Sequence, residues 1–123
     1  MLTIYHNPRC SKSRGALELA NQFAQQRQLD LHVVDYQKTP LSRAQLVDLH
    51  RTLQSEGPVD VRAMVRDNEE VFSTLQLAGA DDAALLDALA AHPVLLQRPI
   101  VQFNQRAVIA RPPELAGIIL TES

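Results

Sequence analysis

The single cysteine of this chain, Cys10, lies at a position where its thiol is expected to be unusually reactive. The apolar segment Leu2–Tyr5 predicts a short strand, Asn7-Pro8 ends it, and a helix is predicted over about residues 11–27, so Cys10 lies at the helix start. The first turn of a helix presents N–H groups without intrahelical acceptors and the positive end of the helix dipole, and both favour a thiolate. The position therefore predicts a nucleophilic thiol.

Basic residues flank Cys10 on both sides. Arg9, Lys12 and Arg14 are interpreted as a solvated rim that attracts anions as a secondary effect. A lone cysteine near a strand end is more often an inert core residue, so the helix start and the basic neighbours carry the nucleophile interpretation. Because the chain has one cysteine, an internal disulfide and a two-thiol mechanism within one chain are both excluded.

The bulk composition predicts a single domain over residues 1–123. A net charge of −2 gives no electrostatic basis for nucleic acid or a membrane as the main partner. The N-terminus lacks a basic region followed by a long apolar run, so no signal peptide is predicted and a cytoplasmic location is expected. The four histidines, at positions 6, 32, 50 and 92, show no metal-ligand spacing, and no metal is expected.

The elements that must position Cys10 begin with a βαβ unit. A second strand is predicted from Leu29 to Tyr36, with Leu31, Val33 and Val34 in the core, parallel to the first strand. The helix between these strands is expected to be capped by the side chain of Ser11 or Ser13.

A helical insertion is predicted over about residues 40–97. Ser42 and Gln45 form a capping-box pattern, and Asp81 is expected to cap a helix that ends near Ala91. Between them, Asp60 is expected to cap a short helix that contains Arg62, Met64, Val65 and Arg66.

The remaining residues complete the sheet. Ile100–Phe103 and Ala107–Ala110 predict a hairpin with a turn at Asn104-Gln105. A last helix follows Arg111-Pro112, with Leu115, Ile118 and Ile119 packed inward. The predicted fold class is α/β and thioredoxin-like, a four-stranded mixed sheet with a helical insertion between strands 2 and 3.

Several separate motifs resemble the glutaredoxin-coupled arsenate reductase family, in its order and at its spacing. They are His6-Asn7-Pro8-Arg9-Cys10-Ser11-Lys12-Ser13-Arg14, Arg66, His92-Pro93, Arg98-Pro99-Ile100-Val101 and Arg111-Pro112. Because the chain ends at Ser123, soon after the last predicted helix, it resembles the short branch of that family. The resemblance implies that Cys10 attacks arsenic and that His6 helps to lower the pKa of the thiol.

The same resemblance implies that Arg66, Arg98 and Arg111 bind the substrate oxyanion. Guanidinium groups suit that task, since they stay charged and bind oxygen pairs bidentately. Arg98-Pro99 occupies the place of the cis-proline of thioredoxin-like folds, so a cis bond is predicted there. Ser13 stands where dithiol enzymes carry cysteine, which implies that glutathione and then glutaredoxin supply the resolving thiols. Glutathione would be a co-substrate, with no bound cofactor.

Other interpretations of the same residues stay open. His6 could only hydrogen-bond the loop backbone, Arg62 or Arg66 could be surface charge, and Arg98 or Arg111 could belong to structural ion pairs. The chain could also be a thiol-dependent oxidoreductase with another substrate, such as a glutathione mixed disulfide. A third alternative is an Spx-type regulator that binds RNA polymerase, although such proteins usually carry Cys-x-x-Cys and Ser13 breaks that pattern.

Overall fold

The structure is a computed structural model that describes residues 2–120 apart from the side chain of Lys12, so the rim interpretation of Lys12 lies outside what it describes. Strand β1 (Leu2–His6), helix α1 (Ser11–Arg27) and strand β2 (Leu31–Asp35) come first. Three α-helices follow, α2 (Arg43–Leu53), α3 (Glu70–Thr74) and α4 (Asp82–Ala91), with 3-10 helices at Gln54–Glu56, Val61–Met64, Leu77–Gly79 and Pro93–Leu95. Strands β3 (Ile100–Phe103) and β4 (Arg106–Ile109) then precede a 3-10 helix over Pro113–Ile118.

The four strands form one mixed sheet in the order β2-β1-β3-β4. The β1 and β2 strands are parallel, while β3 is antiparallel to both β1 and β4. The helices of residues 43–95 lie in sequence between β2 and β3. The predicted α/β, thioredoxin-like sheet with a helical insertion is therefore confirmed.

Each face of the sheet is covered by a separate apolar cluster. Alternation along the strands sends Leu2 and Ile4 of β1 toward α1 and the C-terminal 3-10 helix, where the Phe23 and Phe103 rings meet edge to face at 5.3 Å. Tyr5 and Ile100 face the helical insertion instead. This second cluster contains Leu46, Leu49, Leu53, Met64, Leu85, Leu89, Leu95 and Leu96.

The predicted burial of the last helix is partly wrong. The segment forms a 3-10 helix in which Ala116 is buried, and Ile119, the residue that follows the helix, is buried too, whereas Leu115 and Ile118 are 36% and 45% exposed. A 3-10 helix has three residues per turn, so residues 116 and 119 share the inner face and residues 115 and 118 share the outer face.

The prediction for the second strand also needs correction. The strand covers Leu31–Asp35 rather than residues 29–36, and Val33 is 49% exposed. As an edge strand, β2 has a strand neighbour on one side only, which leaves part of its surface open. Strand β4 begins at Arg106, one residue earlier than predicted, and the turn residue Asn104 has a φ of 57° as expected.

The helix starts of the insertion are largely confirmed. Ser42 Oγ accepts a hydrogen bond from Gln45 N at 3.1 Å, and Gln45 Oε1 accepts one from Ser42 N at 2.8 Å, which completes the capping box. Asp81 caps α4 through Ala84 N, and that helix ends at Ala91. Asp60 forms no side-chain cap, so that part of the prediction is wrong.

Candidate active site

Cys10 is the N-cap residue of α1, as its position in the sequence predicts. Its backbone is extended, with φ −100° and ψ 123°, and its carbonyl oxygen accepts the first helical hydrogen bond from Arg14 N at 3.0 Å. Cys10 N donates to Asn7 O at 3.0 Å, which closes a tight turn before the helix. Because Cys10 is half-buried, its side chain combines a helix N-terminus with access from outside.

The prediction that Ser11 or Ser13 caps α1 is wrong. No side chain caps this helix, and Ser11 is exposed. Ser13 is fully buried, and its Oγ accepts a hydrogen bond from Asn7 N at 3.3 Å. The Asn7 side chain in turn accepts from Arg9 N at 3.0 Å. These bonds fix the loop that carries Cys10, so Ser13 holds the loop rather than the helix end.

The sheet register brings distant residues to the edge where Cys10 lies. The paired residues at this edge are His6 with Asp35, Tyr5 with Ile100, and Ile100 with Ile109. The chain beyond these pairs consists of the Cys10 loop after β1, Tyr36 after β2, Arg98-Pro99 before β3, and Ala110-Arg111 after β4. All four strands thus deliver candidate residues to one place.

Arg98 and Arg111 meet directly at this edge. Arg111 Nη1 donates to the carbonyl oxygen of Arg98 at 3.0 Å. The predicted cis bond at Arg98-Pro99 is confirmed, and Arg111-Pro112 is also cis. Within residues 2–120, Arg98 Nε and Nη1 are buried and have no hydrogen-bond acceptor, and neither arginine forms an ion pair. Buried N–H groups are normally paired, so Arg98 is open to an anionic ligand.

Arg66 reaches the site from an extended segment, and its predicted place in a helix is wrong. Val65 pairs with Leu96 in an isolated bridge, and Arg66 N donates to Leu95 O at 2.7 Å. This pairing places Arg66 beside the segment that leads to Arg98. Its Nε lies 3.2 Å from Glu69 Oε2, with only 11% of the arginine side chain exposed.

Arg62, the other arginine of this region, has a structural task. It is exposed, and its Nη1 and Nη2 donate to the carbonyl oxygens of Leu77 and Ala80 at 3.1 and 2.6 Å. These bonds tie two turns of the insertion together. The sequence left open which of Arg62 and Arg66 is surface charge, and in the structure Arg62 is the exposed one.

His6 ends β1 and is 6% exposed. Burial is the main effect on it and lowers its pKa, with a smaller contribution in the same direction from Arg14. A backbone hydrogen bond with Ser13 and the charge of Asp35 act in the opposite direction. A lowered pKa favours a neutral imidazole, which can accept a proton but adds no positive charge beside Cys10. The expected effect of His6 on the thiol stays a prediction.

A polar cavity of about 330 Å³ lies beside the Cys10 loop. It is lined by Asn7, Pro8, Arg9, Asp35, Gln37 and Lys38. Arg9 is exposed, as a solvated rim requires, and so is Arg14, which donates to Pro8 O at 3.2 Å. The cavity offers two cations and one carboxylate to a small polar molecule.

Tyr36 is a buried residue beside the candidate site that the sequence did not single out. It was predicted only as the end of the second strand, yet it is 1% exposed, and its hydroxyl has no hydrogen-bond partner within residues 2–120. Burial is the largest effect and raises the pKa of the hydroxyl, the Arg98 and Arg66 charges and the Gln37 side chain lower it, and Cys10 raises it. A signal existed in the sequence, because the residue after a strand parallel to β1 must emerge beside the cysteine loop.

No metal-binding cluster of three or more His, Cys, Asp or Glu side chains occurs in residues 2–120. Across the same residues, every helix is too short or too polar to cross a membrane.

The sequence model of the ArsC family matches residues 5–117. The chain belongs to this family. An arsenate reductase of Neisseria meningitidis is 41% identical to this ArsC-family chain over 121 residues, which is 97% of each chain. An arsenate reductase of Escherichia coli is 35% identical over 124 residues, covering 99% of this chain and 82% of the relative.

Solved structures agree with this ArsC-family fold. The structure of an arsenate reductase from Vibrio cholerae is similar to this chain with a TM-score of 0.83 and 39% identity, covering 96% of each chain.

Proposed function

We propose that this protein reduces arsenate to arsenite through a Cys10 thiolate, with glutathione and glutaredoxin supplying the electrons. The observation that carries the proposal is the pair of buried Arg98 nitrogens without acceptors, at the sheet edge that also holds Cys10. The arsenate reductases named among the relatives support the choice of oxyanion.

Oxyanion binding is the first task of the site. Arsenate is tetrahedral and multiply charged, and guanidinium groups match its oxygens and remain charged at any working pH. Arg98 and Arg111 are the proposed main ligands, with Arg66 beside them. Neutralising the anion also lets a negatively charged thiolate approach it.

The proposed reaction then transfers two electrons to arsenic. The Cys10 thiolate attacks As(V), an S–As bond forms, and hydroxide or water leaves. Glutathione displaces a second oxygen from the arsenic through its own thiol. A glutaredoxin thiolate attacks the glutathione sulfur, and the two thiols leave as a mixed disulfide while As(V) becomes As(III). Hydrolysis of the remaining S–As bond releases arsenite and restores Cys10.

Two features support thiols from outside the chain. Cys10 is the only cysteine, and Ser13 uses its buried hydroxyl to hold the loop. The cavity beside the loop suits glutathione, because Arg9 and Lys38 can meet its two carboxylates and Asp35 its ammonium group.

The test is arsenite production by the full chain with arsenate, glutathione and glutaredoxin. We expect turnover by the unsubstituted protein and none by Cys10→Ser. The alkylation rate of Cys10 against pH should show a midpoint in the range of roughly 3.5–7.5 that activated cysteines show. A correctly folded protein that makes no arsenite would contradict the proposal, and the same assay with a glutathione mixed disulfide would then test the other substrate class.

A further inference from the structure

We propose that the Tyr36 hydroxyl is a further hydrogen-bond donor to the bound oxyanion, on the opposite side of the Cys10 loop from Arg98. The inference deepens the proposed function and rests on an oxyanion binding at this edge of the sheet. The observation behind it is a set of buried polar atoms that lack hydrogen-bond partners within residues 2–120, namely Tyr36 Oη, Arg98 Nε and Nη1, and His6 Nδ1. The Gln37 side chain is a polar neighbour that lowers the pKa of the Tyr36 hydroxyl, but it does not meet hydrogen-bond distance and angle to that hydroxyl.

The sheet register sets where Tyr36 lies. His6 pairs with Asp35, so Tyr36 continues β2 alongside the first residue of the Cys10 loop. On the other side of β1, Tyr5 pairs with Ile100, so the Arg98-Pro99 segment continues β3 alongside that same loop. Tyr36 and Arg98 therefore flank the start of the loop from opposite sides.

The rest of Tyr36 is held firmly. Its ring belongs to the buried cluster beneath the helical insertion, together with residues such as Leu46, Met64 and Leu95. A ring packed among these side chains cannot carry its hydroxyl to solvent without leaving the core. A buried hydroxyl without a hydrogen bond costs free energy, so a group that is absent from the unliganded protein is expected to meet it.

The charges around the hydroxyl specify the kind of group. Arg98 and Arg66 lower the pKa of Tyr36 and Cys10 raises it, and no carboxylate is among the charges that act on it. Burial is the largest effect and raises the pKa of the hydroxyl, so it keeps its proton and can donate. A protonated hydroxyl next to guanidinium groups favours an anion with several acceptor oxygens, which describes a tetrahedral oxyanion.

The chain offers a matched control, because it contains two tyrosines and no tryptophan. Tyr5 is half-buried in β1 and lines a different cavity, with Leu41, Gln45, Asp48, Leu49, Thr52 and Gln102. Tyr36→Phe removes the buried hydroxyl and keeps the packed ring. Tyr5→Phe removes the other hydroxyl and leaves Tyr36 as the only tyrosine, so the near-ultraviolet tyrosine band of that variant reports on Tyr36 alone.

The experiment measures arsenate and sulfate binding by calorimetry for the unsubstituted protein and both variants. A hydrogen bond to a charged ligand predicts that Tyr36→Phe binds roughly 10- to 100-fold more weakly, with Tyr5→Phe unchanged. Arsenate should also shift the tyrosine band of Tyr5→Phe. The melting temperature of Tyr36→Phe without anion should equal or exceed that of the unsubstituted protein, which excludes a merely structural loss.

The outcomes separate this inference from the proposed function. Equal anion affinity in Tyr36→Phe, or a tyrosine band that arsenate leaves unmoved, would overturn the role of Tyr36 and leave arsenate reduction intact. A third outcome is that Tyr36→Phe binds the anions more weakly but the unsubstituted protein makes no arsenite. That outcome would support the role of Tyr36 in anion binding and contradict arsenate reduction. Failure of the unsubstituted protein to bind either anion would overturn both.

Discussion

Arg98 presents buried Nε and Nη1 atoms without acceptors, and its carbonyl oxygen is held by Arg111. The Arg111 bond holds the Arg98 backbone, and the planar Arg98 guanidinium offers directed donors that the ammonium of lysine replaces only as a point charge. Arg98→Lys is therefore expected to lower kcat/KM for arsenate by roughly 10- to 100-fold. Arsenite production under saturating glutathione and glutaredoxin measures the effect.

The exposed residue Arg14 supplies the control for this substitution. Arg14→Lys keeps the charge of the rim, and we expect it to change kcat/KM little because rim charges act mainly by attraction at a distance. Equal activity of Arg98→Lys and Arg14→Lys would show that the site needs charge alone and would contradict the directed role of Arg98.

His6 gives the molecule a predictable response to pH. Burial and Arg14 lower its pKa while the Ser13 backbone and Asp35 oppose them, so the folded protein binds this proton more weakly than the unfolded chain does. The free energy of unfolding should then fall as the pH drops below about 6.5 and level off below the folded-state pKa. Denaturant unfolding measured between about pH 7 and pH 5 should show this fall.

The substitution His6→Gln should reduce that fall, because the side chain no longer titrates. His32 is exposed, so His32→Gln should retain the full fall and serves as the control. An unchanged pH dependence in His6→Gln would mean that other groups cause it.

Some of the candidate site residues could be predicted from their sequence context and others could not. Cys10, Arg98 and Arg111 lie in distinctive local motifs next to strand ends, so position and residue type could be predicted together. Tyr36 looked like an ordinary strand residue, since nothing local shows that a hydroxyl lacks a partner. The predicted helix cap at Ser13 was wrong for a related reason. The Ser13 hydroxyl accepts a hydrogen bond from Asn7 N in the preceding loop instead of from its own helix.

At the scale of elements, the helix starts are a clear point of comparison. Ser42 makes a complete capping box, whereas Ser11 stands exposed at the start of α1 and no side chain caps that helix. Ser42→Ala is expected to lower the free energy of unfolding by about 1 kcal/mol. Ser11→Ala should cost less than about 0.5 kcal/mol.

Urea denaturation of the two variants measures both values, and Ser42→Ala should leave anion affinity unchanged because α2 begins on the insertion. A larger loss for Ser11→Ala than for Ser42→Ala would contradict the observed caps.

The elements themselves were predictable where apolar periodicity is strong, as in α1, or where a local side-chain cap marks the helix start, as in α2 and α4. The segment after Met64 was not, because Val65 pairs with Leu96 across 31 positions and a local helical pattern cannot show such a bridge. That missed bridge places Arg66 beside the segment that leads to Arg98.

At the scale of the whole molecule, the C-terminal 3-10 helix closes the layer over α1. Ile119, directly after that helix, is fully buried, whereas its neighbour Ile118 is 45% exposed. Ile119→Ala should lower the free energy of unfolding by about 2–5 kcal/mol, because it leaves a cavity in this layer. Ile118→Ala should cost less than about 1 kcal/mol.

Thermal and denaturant unfolding of this pair tests the observed three-residue periodicity. Similar losses at both positions would instead favour the α-helix that the sequence predicted.

The sheet order has a consequence for how this protein is made. Strand β3 lies between β1 and β4, yet it is the third strand to be synthesised, and Arg98 and Arg111 come with it and with β4. On the ribosome, Cys10 would therefore leave the exit tunnel long before any arginine from the second half of the chain could join it. A nascent chain can hold a complete βαβ unit and a reactive thiol, but it can bind an oxyanion only after nearly the whole chain has emerged and β3 has entered the sheet.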